Sequence, residues 1–234
     1  MTHRLEVVAL SCARGDRPLF TDLGFEAASG QLLHVVGPNG SGKTTLLRTI
    51  CGLTRPAAGE IRWQGQRIQA LGDEYRAQLV YVGHLEGIYG ELTPPENLAA
   101  LACQQQAHAL EAAQVDAALE RLGLERLRAL PAKVLSQGQK RRLALARLLL
   151  APGPLWILDE PYTALDTRSS ELLNALLAEH LARRGIALVA SHQPLALARA
   201  TVRRIALQPA AAADSGPRAA LGVDTRRPAG RQPA

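Results

Sequence analysis

The chain has 234 residues, of which 47% are hydrophobic and 21% charged, and its formal net charge is +6 at pH 7. This composition is typical of one packed globular domain and excludes a fibrous or wholly disordered chain. No apolar stretch approaches the roughly 18 residues of a membrane-spanning helix, and no apolar signal follows Met1, so we expect neither membrane insertion nor export. The cysteines, Cys12, Cys51 and Cys103, share no paired spacing, which disfavours a disulfide framework or a zinc ribbon.

Short apolar runs alternate with helical patterns over the first 208 residues. Four of the runs are typical of buried strands: 31–36 (QLLHVV), 79–82 (LVYV), 155–158 (LWIL) and 186–190 (IALVA). Strands separated by helices predict an α/β fold with a parallel sheet. Between about residues 93 and 150 the strand patterns stop and the pattern is helical, so we predict a helical subdomain there.

The remaining segment, 209–234, has a different composition. It is rich in Ala, Pro, Gly and Arg, and Leu221 and Val223 are its only large apolar residues. So little apolar surface does not offset the conformational entropy lost on ordering. We therefore predict a disordered tail, whose arginines we expect to be solvated rather than bound to lipid.

A phosphate-binding motif follows the first apolar run. Residues 37–44 read GPNGSGKT, which fills every fixed position of G-x-x-x-x-G-K-[ST] between a strand and a helix. In such a loop the backbone N–H groups surround phosphate, Lys43 reaches the β- and γ-phosphates, and the Thr44 hydroxyl can hold Mg²⁺. A glycine-rich turn with a chance lysine is the alternative, which this context disfavours. The predicted nucleotide-binding residues here are Gly37, Pro38, Asn39, Gly40, Ser41, Gly42, Lys43, Thr44 and Thr45.

Two carboxylates end the apolar run at 155–158. In a parallel sheet the carboxyl ends of the strands form the ligand-binding edge, so Asp159 and Glu160 are expected beside the phosphates. Asp159 is the predicted magnesium ligand, together with Thr44. Glu160 is the candidate to orient or deprotonate the attacking water, a role that suits hydrolysis. A polar strand end at the surface is the alternative, and the neighbouring phosphate loop disfavours it.

Residues 135–139 read LSQGQ and are followed by KRRLALARLLL. This segment resembles the LSGGQ signature of the ATP-binding cassette (ABC) family, with Gln137 in place of a glycine. Ser136 can cap the helix that begins here, and Gly138 allows the backbone to approach a γ-phosphate. The resemblance implies that Ser136, Gly138 and Gln139 bind nucleotide.

Further motifs match the family in the same order along the chain. TALD at 163–166 resembles the D-loop, and His192 resembles the switch histidine that contacts the γ-phosphate. Two positions depart from the family: His84 stands where a glutamine normally contacts Mg²⁺ and the lytic water, and Arg14 stands where an aromatic residue often stacks on adenine. The resemblance implies ATP and Mg²⁺ as cofactors, with catalytic roles for Lys43, Glu160 and His192 and nucleotide contact by His84.

Several longer strings, among them PLWILDEPYTALD and the final SHQ, resemble the ATPase subunits of ABC complexes in cytochrome c maturation. This implies a P-loop NTPase of the ABC type over residues 1–208, with a mixed sheet core, an N-terminal antiparallel β subdomain and a helical signature subdomain. It implies ATP hydrolysis in a head-to-tail dimer of two copies that drives heme handling or export. The implied partner is a polytopic membrane subunit of the CcmB or CcmC kind, at the cytoplasmic face of the bacterial inner membrane.

Other functions remain open at this point. The ATPase could serve another small-molecule transporter, or it could be a soluble ABC-type ATPase that acts on nucleic acid, as the basic charge permits. Nucleic-acid ATPases of this family generally have long insertions or two cassettes, so we expect no nucleic-acid partner. A nucleotide-binding regulator without hydrolysis is disfavoured by Glu160.

Overall fold

The computed structural model describes residues 2–84, 87–104, 110–151, 153–195 and 201–208. The tail predicted to be disordered, at 209–234, lies outside the described residues. Parallel and antiparallel strands are both present, in two separate sheets. Among the residues that the structure describes, no helix is both long enough and apolar enough to cross a bilayer.

The first sheet is antiparallel and consists mainly of N-terminal residues. Its strand order is β2-β1-β4-β5. The β1–β2 pairing contains register shifts, and Ala9 in β1 has a positive φ of 48°. The strands are β1 (Arg4–Arg14), β2 (Arg17–Ala28), β4 (Ala58–Trp63) and β5 (Gln66–Arg67).

The second sheet has five parallel strands in the order β6-β7-β8-β3-β9. All four strands predicted from apolar runs are present, and β7 and β8 are buried at every position. Because β8 lies between β7 and β3, the segments that follow these three strands meet at one edge. The strands are β3 (Gln31–Val36), β6 (Leu79–Val82), β7 (Leu155–Asp159), β8 (Ile186–Ala190) and β9 (Thr201–Ala206).

Some helices cover the faces of the parallel sheet. Others form a separate helical layer, which is built from the chain segment that connects β6 to β7. The four helices α4 to α7 lie within residues 94–150, the region of the predicted helical subdomain, and they enclose a hydrophobic cluster of their own. The helices are α1 (Lys43–Ile50), α2 (Ile68–Leu71), α3 (Asp73–Arg76), α4 (Pro94–Gln104), α5 (Ala112–Arg121), α6 (Gln137–Leu145), α7 (Arg147–Leu150) and α8 (Thr167–Ala182).

The core lies on both faces of the parallel sheet because successive side chains of a strand point to opposite sides. In β3, Leu33 packs in the cluster shared with α1 and the antiparallel sheet, whereas Leu32 packs in the cluster shared with α8. Both side chains are fully buried. A strand covered on both faces holds its end in a fixed position, which is what a site at the sheet edge requires.

Candidate functional site

A pocket of about 700 Å³ opens at the carboxyl edge of the parallel sheet. It collects residues from β1, β2, the loop after β3, α1, and the segments that follow β6, β7 and β8. The lining residues are Arg14, Leu19, Asn39, Gly40, Gly42, Lys43, Thr44, Thr45, Arg48, His84, Asp159, Glu160, Thr163 and His192.

The loop between β3 and α1 depends on glycine. Gly40 and Gly42 have φ values of 79° and 96°, in the left-handed region that residues with a Cβ rarely adopt. A Cβ on Gly42 would also lie within about 3 Å of the Phe20 ring and of Leu19. The loop therefore turns directly into α1, whose N-terminus and unpaired N–H groups lie at the pocket.

Lys43, the first residue of α1, is 8% exposed. Its Nζ donates hydrogen bonds to the carbonyl oxygens of Gly37 (2.9 Å) and Pro38 (3.3 Å). It also lies 3.2 Å from Nε2 of His192, and because an ammonium has no acceptor, Nε2 accepts this bond from Lys43. The predicted phosphate-binding lysine and the predicted switch histidine are therefore in direct contact.

Asp159 is the last residue of β7 and is 1% exposed. Its Oδ2 is buried and has no hydrogen-bond partner among the described residues. Burial raises the pKa of nearby Tyr81 to about 12, and the negative charge of Asp159 contributes to this rise. A buried carboxylate oxygen without a partner is unfavourable unless a cation compensates it. The donor set of Asp159 and the Thr44 hydroxyl, both on the pocket wall, fits a magnesium ion.

Glu160 follows directly and lies beside His192. Its Oε2 accepts a hydrogen bond from the His192 backbone N–H at 3.4 Å, and its Oε1 lies 3.5 Å from His192 Nε2. Oε1 is buried and makes no hydrogen bond within the described part of the chain. The carboxylate thus keeps an oxygen that can accept a proton from a molecule in the pocket.

The two residues that depart from the family pattern also line the pocket. His84 follows β6, and Arg14 ends β1 on the wall formed by the antiparallel sheet. An imidazole and a guanidinium therefore occupy the positions at which the sequence resemblance places an amide and an aromatic ring. Gly37, Pro38 and Ser41 lie in the phosphate loop but do not line the pocket, and Ser41 is fully buried.

The three predicted signature residues do not line this pocket. Ser136 caps α6: its Oγ accepts a bond from the Gln139 backbone N–H at 3.3 Å, and Gln139 Oε1 accepts one from the Ser136 N–H at 2.8 Å. Gly138 lies close to the 163–166 segment, where an added Cβ would be 2.9 Å from the Ala164 carbonyl oxygen. The helix N-terminus is therefore formed, but it does not line the pocket that contains Lys43 of its own chain.

Four lining residues, Arg14, Leu19, Arg48 and Thr163, were not among the predicted binding or catalytic residues, although Arg14 and Thr163 stand at positions that the family resemblance had singled out. Arg48 lies one turn after Thr44 and Thr45 on α1, so the helical spacing places it on the same face and could have indicated it. Leu19 had no such signal, because its position depends on how β2 packs against Gly42.

Comparisons with known proteins give the family. The family model described as ABC transporter matches residues 20–163. The protein named "Cytochrome c biogenesis ATP-binding export protein CcmA" from Nitrosospira multiformis is 47% identical over 203 residues, which cover 87% of this chain and 98% of the relative. A relative of the same name from Methylococcus capsulatus is 50% identical over 186 residues, covering 80% and 89%.

A solved structure agrees with the sequence comparisons. An ABC transporter ATP-binding protein from Pyrococcus furiosus superposes with a TM-score of 0.75 at 27% identity, covering 87% of this chain and 97% of that chain. The resemblance inferred from the motifs and the expected fold class are both confirmed. The chain therefore belongs to the ABC transporter family and is an ATPase of that family.

Proposed function

We propose that this chain is the ATP-hydrolysing subunit of a membrane complex in cytochrome c biogenesis, with heme as the handled molecule. Relatives named as cytochrome c biogenesis ATP-binding export proteins are 43–50% identical to it over most of their length, which supports the proposal. The observation that carries the catalytic part is the convergence of Lys43, Asp159, Glu160 and His192 in one pocket.

In the proposed reaction the phosphate loop and Lys43 bind the triphosphate, and Thr44 and Asp159 hold Mg²⁺. A magnesium ion held by these two residues would supply charge neutralisation at the triphosphate. Glu160 accepts the proton of the attacking water through its available Oε1. His192 contacts the γ-phosphate and, through its hydrogen bonds, fixes the relative positions of Lys43 and Glu160.

The signature segment supports a dimer. Because Ser136, Gly138 and Gln139 form a capped helix N-terminus apart from the pocket of their own chain, they are available to bind the γ-phosphate held by a second copy. Hydrolysis would then loosen the pair. A polytopic membrane subunit of the CcmB or CcmC kind would sense this change from the cytoplasmic face of the inner membrane, near residues 84–97.

Replacing Glu160 by Gln tests the catalytic proposal. The variant should retain Mg-ATP but hydrolyse it about 100-fold more slowly, since it loses the proton acceptor and keeps the shape. Glu171→Gln, an exposed change on α8, is the control and should keep wild-type turnover. Intact turnover in Glu160→Gln would exclude Glu160 as the base.

The biological role needs a separate measurement. In a strain whose own copy is replaced by Glu160→Gln, we expect the level of mature c-type cytochromes to fall while the Glu171→Gln strain stays normal. ATPase activity should respond to membranes that contain the membrane subunit and not to DNA. Normal cytochrome levels together with stimulation by DNA would favour the nucleic-acid alternative.

A further inference from the structure

Arg141, at the midpoint of α6, has a guanidinium group that is buried deep in the chain. The residue is 2% exposed. Its Nη1 donates to the Gly83 carbonyl oxygen at 2.9 Å, and its Nη2 donates to those of Asp159 (3.0 Å) and Glu160 (2.7 Å). Its Nε donates to the Pro161 carbonyl oxygen at 3.3 Å. One side chain thus holds four backbone carbonyls.

These carbonyls belong to two separate segments of the pocket wall. Gly83 immediately precedes His84, whereas the other three follow one another at the end of β7. The guanidinium is a planar fork of five N–H donors, so it can bind several acceptors in one fixed geometry. Arg141 lies five residues after Ser136 on the same helix, so it links the signature helix to both segments.

The backbone at the end of β7 requires such support. Glu160 has a φ of 47°, a left-handed conformation that a residue with a Cβ adopts at an energetic cost. Its N–H donates to the Ala190 carbonyl at 2.9 Å, and the two Nη2 bonds of Arg141 hold the carbonyls on either side of its Cα. This conformation sets the direction of the Glu160 carboxylate.

We propose that Arg141 is a positioning residue for hydrolysis. It holds Glu160 in its left-handed conformation and keeps the His84 segment in register with it, so that a displacement of the signature helix moves the proton acceptor. The inference rests on the proposed role of Glu160 as the base. It predicts that Arg141 variants lose turnover while the phosphate loop still binds ATP.

The experiment compares Arg141 with its neighbour Arg142. Arg142 also lies on α6 and also binds backbone carbonyls, those of Leu122 (2.8 Å) and Gly123 (3.4 Å), but these are in the helical layer. Turnover, ATP affinity and melting temperature are measured for Lys and Met substitutions at both positions. Lysine keeps the charge but has no planar fork, so Arg141→Lys tests geometry and is the milder change for folding.

We expect Arg141→Lys to lower kcat by about tenfold and Arg141→Met by up to about 100-fold, the scale of a misplaced catalytic group, with ATP affinity within about threefold of wild type. The Arg142 variants should keep a near wild-type kcat. If Arg141→Met does not fold, Arg141→Lys decides. Wild-type kcat in Arg141→Lys, or a parallel loss of kcat and ATP affinity, would overturn the proposal.

A double variant separates positioning of Glu160 from general support of the fold. In the Glu160→Gln background, Arg141→Lys should cause little further loss, because both changes act on the same step. A full additional tenfold loss would indicate a merely structural role and refute the proposal. If Glu160→Gln alone keeps turnover, the proposed base is wrong; if it loses turnover but the Arg141 variants match the Arg142 variants, only the positioning role is wrong.

Discussion

The pocket at the sheet edge and the signature segment at the start of α6 differ in how they are built. The pocket draws its residues from widely separated segments and depends on the strand order that brings β3, β7 and β8 together. The signature segment depends on local contacts: Ser136 and Gln139 bond each other across one helical turn. The pocket is thus lined by distant segments of one chain, whereas the capped start of α6 does not line the pocket of its own chain.

The first test of this difference asks whether the pocket is the phosphate site. Lys43→Ala is expected to have the largest effect. In the proposed site Lys43 is the charged group that faces the phosphates, and charge-assisted contacts of this kind contribute about 1.5 to 3 kcal/mol or more, so ATP binding should be lost. Equilibrium binding of ATP measures this. Lys133→Ala, at an exposed lysine paired with Glu91 outside the pocket, should bind normally. Unchanged affinity in Lys43→Ala would mean that the pocket is not the phosphate site.

Mixing two inactive variants tests whether the signature segment serves a second chain. Lys43→Ala removes the phosphate site and Ser136→Arg blocks the signature helix, so each homodimer should be inactive. A head-to-tail heterodimer keeps one intact composite site, formed by the loop of one chain and the helix of the other. ATPase activity should therefore reappear on mixing at high protein concentration.

The absence of recovery would contradict this expectation if wild-type activity also stayed strictly proportional to protein concentration down to high dilution. That result would indicate a monomeric enzyme, and the proposed dimer would be wrong.

Gly138→Ala should have a smaller effect that distinguishes the two regions. The added Cβ would lie 2.9 Å from the Ala164 carbonyl oxygen, so the start of α6 or the 163–166 segment must shift. We expect turnover to fall by roughly tenfold, because small displacements near the reacting groups are costly, while ATP affinity stays unchanged. Steady-state kinetics and equilibrium binding measure the two quantities. A loss of affinity with normal turnover would place Gly138 in the pocket of its own chain.

The sequence predicts the strands of the parallel sheet better than those of the antiparallel sheet. Apolar runs located β3, β6, β7 and β8, because strands buried on both faces of a parallel sheet are almost continuously apolar. The residues after those strands could therefore be assigned to one edge. The strands β1 and β2 were expected from family resemblance alone, since their pattern is interrupted by register shifts and by Ala9.

The contacts of Arg141 could not be predicted from its position in the chain. In the sequence it is one of two adjacent arginines in a basic helix. Only the packing of α6 against the end of β7 buries Arg141 and leaves Arg142 half-buried in the helical layer. Side-chain hydrogen bonds to distant backbone carbonyls depend on tertiary geometry, which a local pattern does not contain.

The smallest expected effect on turnover comes from a residue packed against β7, the strand that ends at Asp159 in the pocket. The His180 ring of α8 stacks on Trp156 of β7 with centroids 3.9 Å apart, and its Nε2 donates to the Ile186 carbonyl at 3.1 Å. Burial lowers the pKa of His180 to about 4 from its usual 6.5. Between these two values the folded state keeps the ring neutral while the unfolded state binds a proton.

The free energy of unfolding is therefore unaffected by this histidine above pH 6.5, falls progressively as the pH drops from 6.5 to 4, and has lost the full contribution below pH 4. Between pH 7.5 and pH 5 we expect a loss of about 2 kcal/mol, measured by denaturant unfolding. His180→Phe keeps a ring against Trp156 but cannot titrate, so its unfolding free energy should depend less on pH over this range. An identical pH dependence in both proteins would show that His180 does not titrate on unfolding.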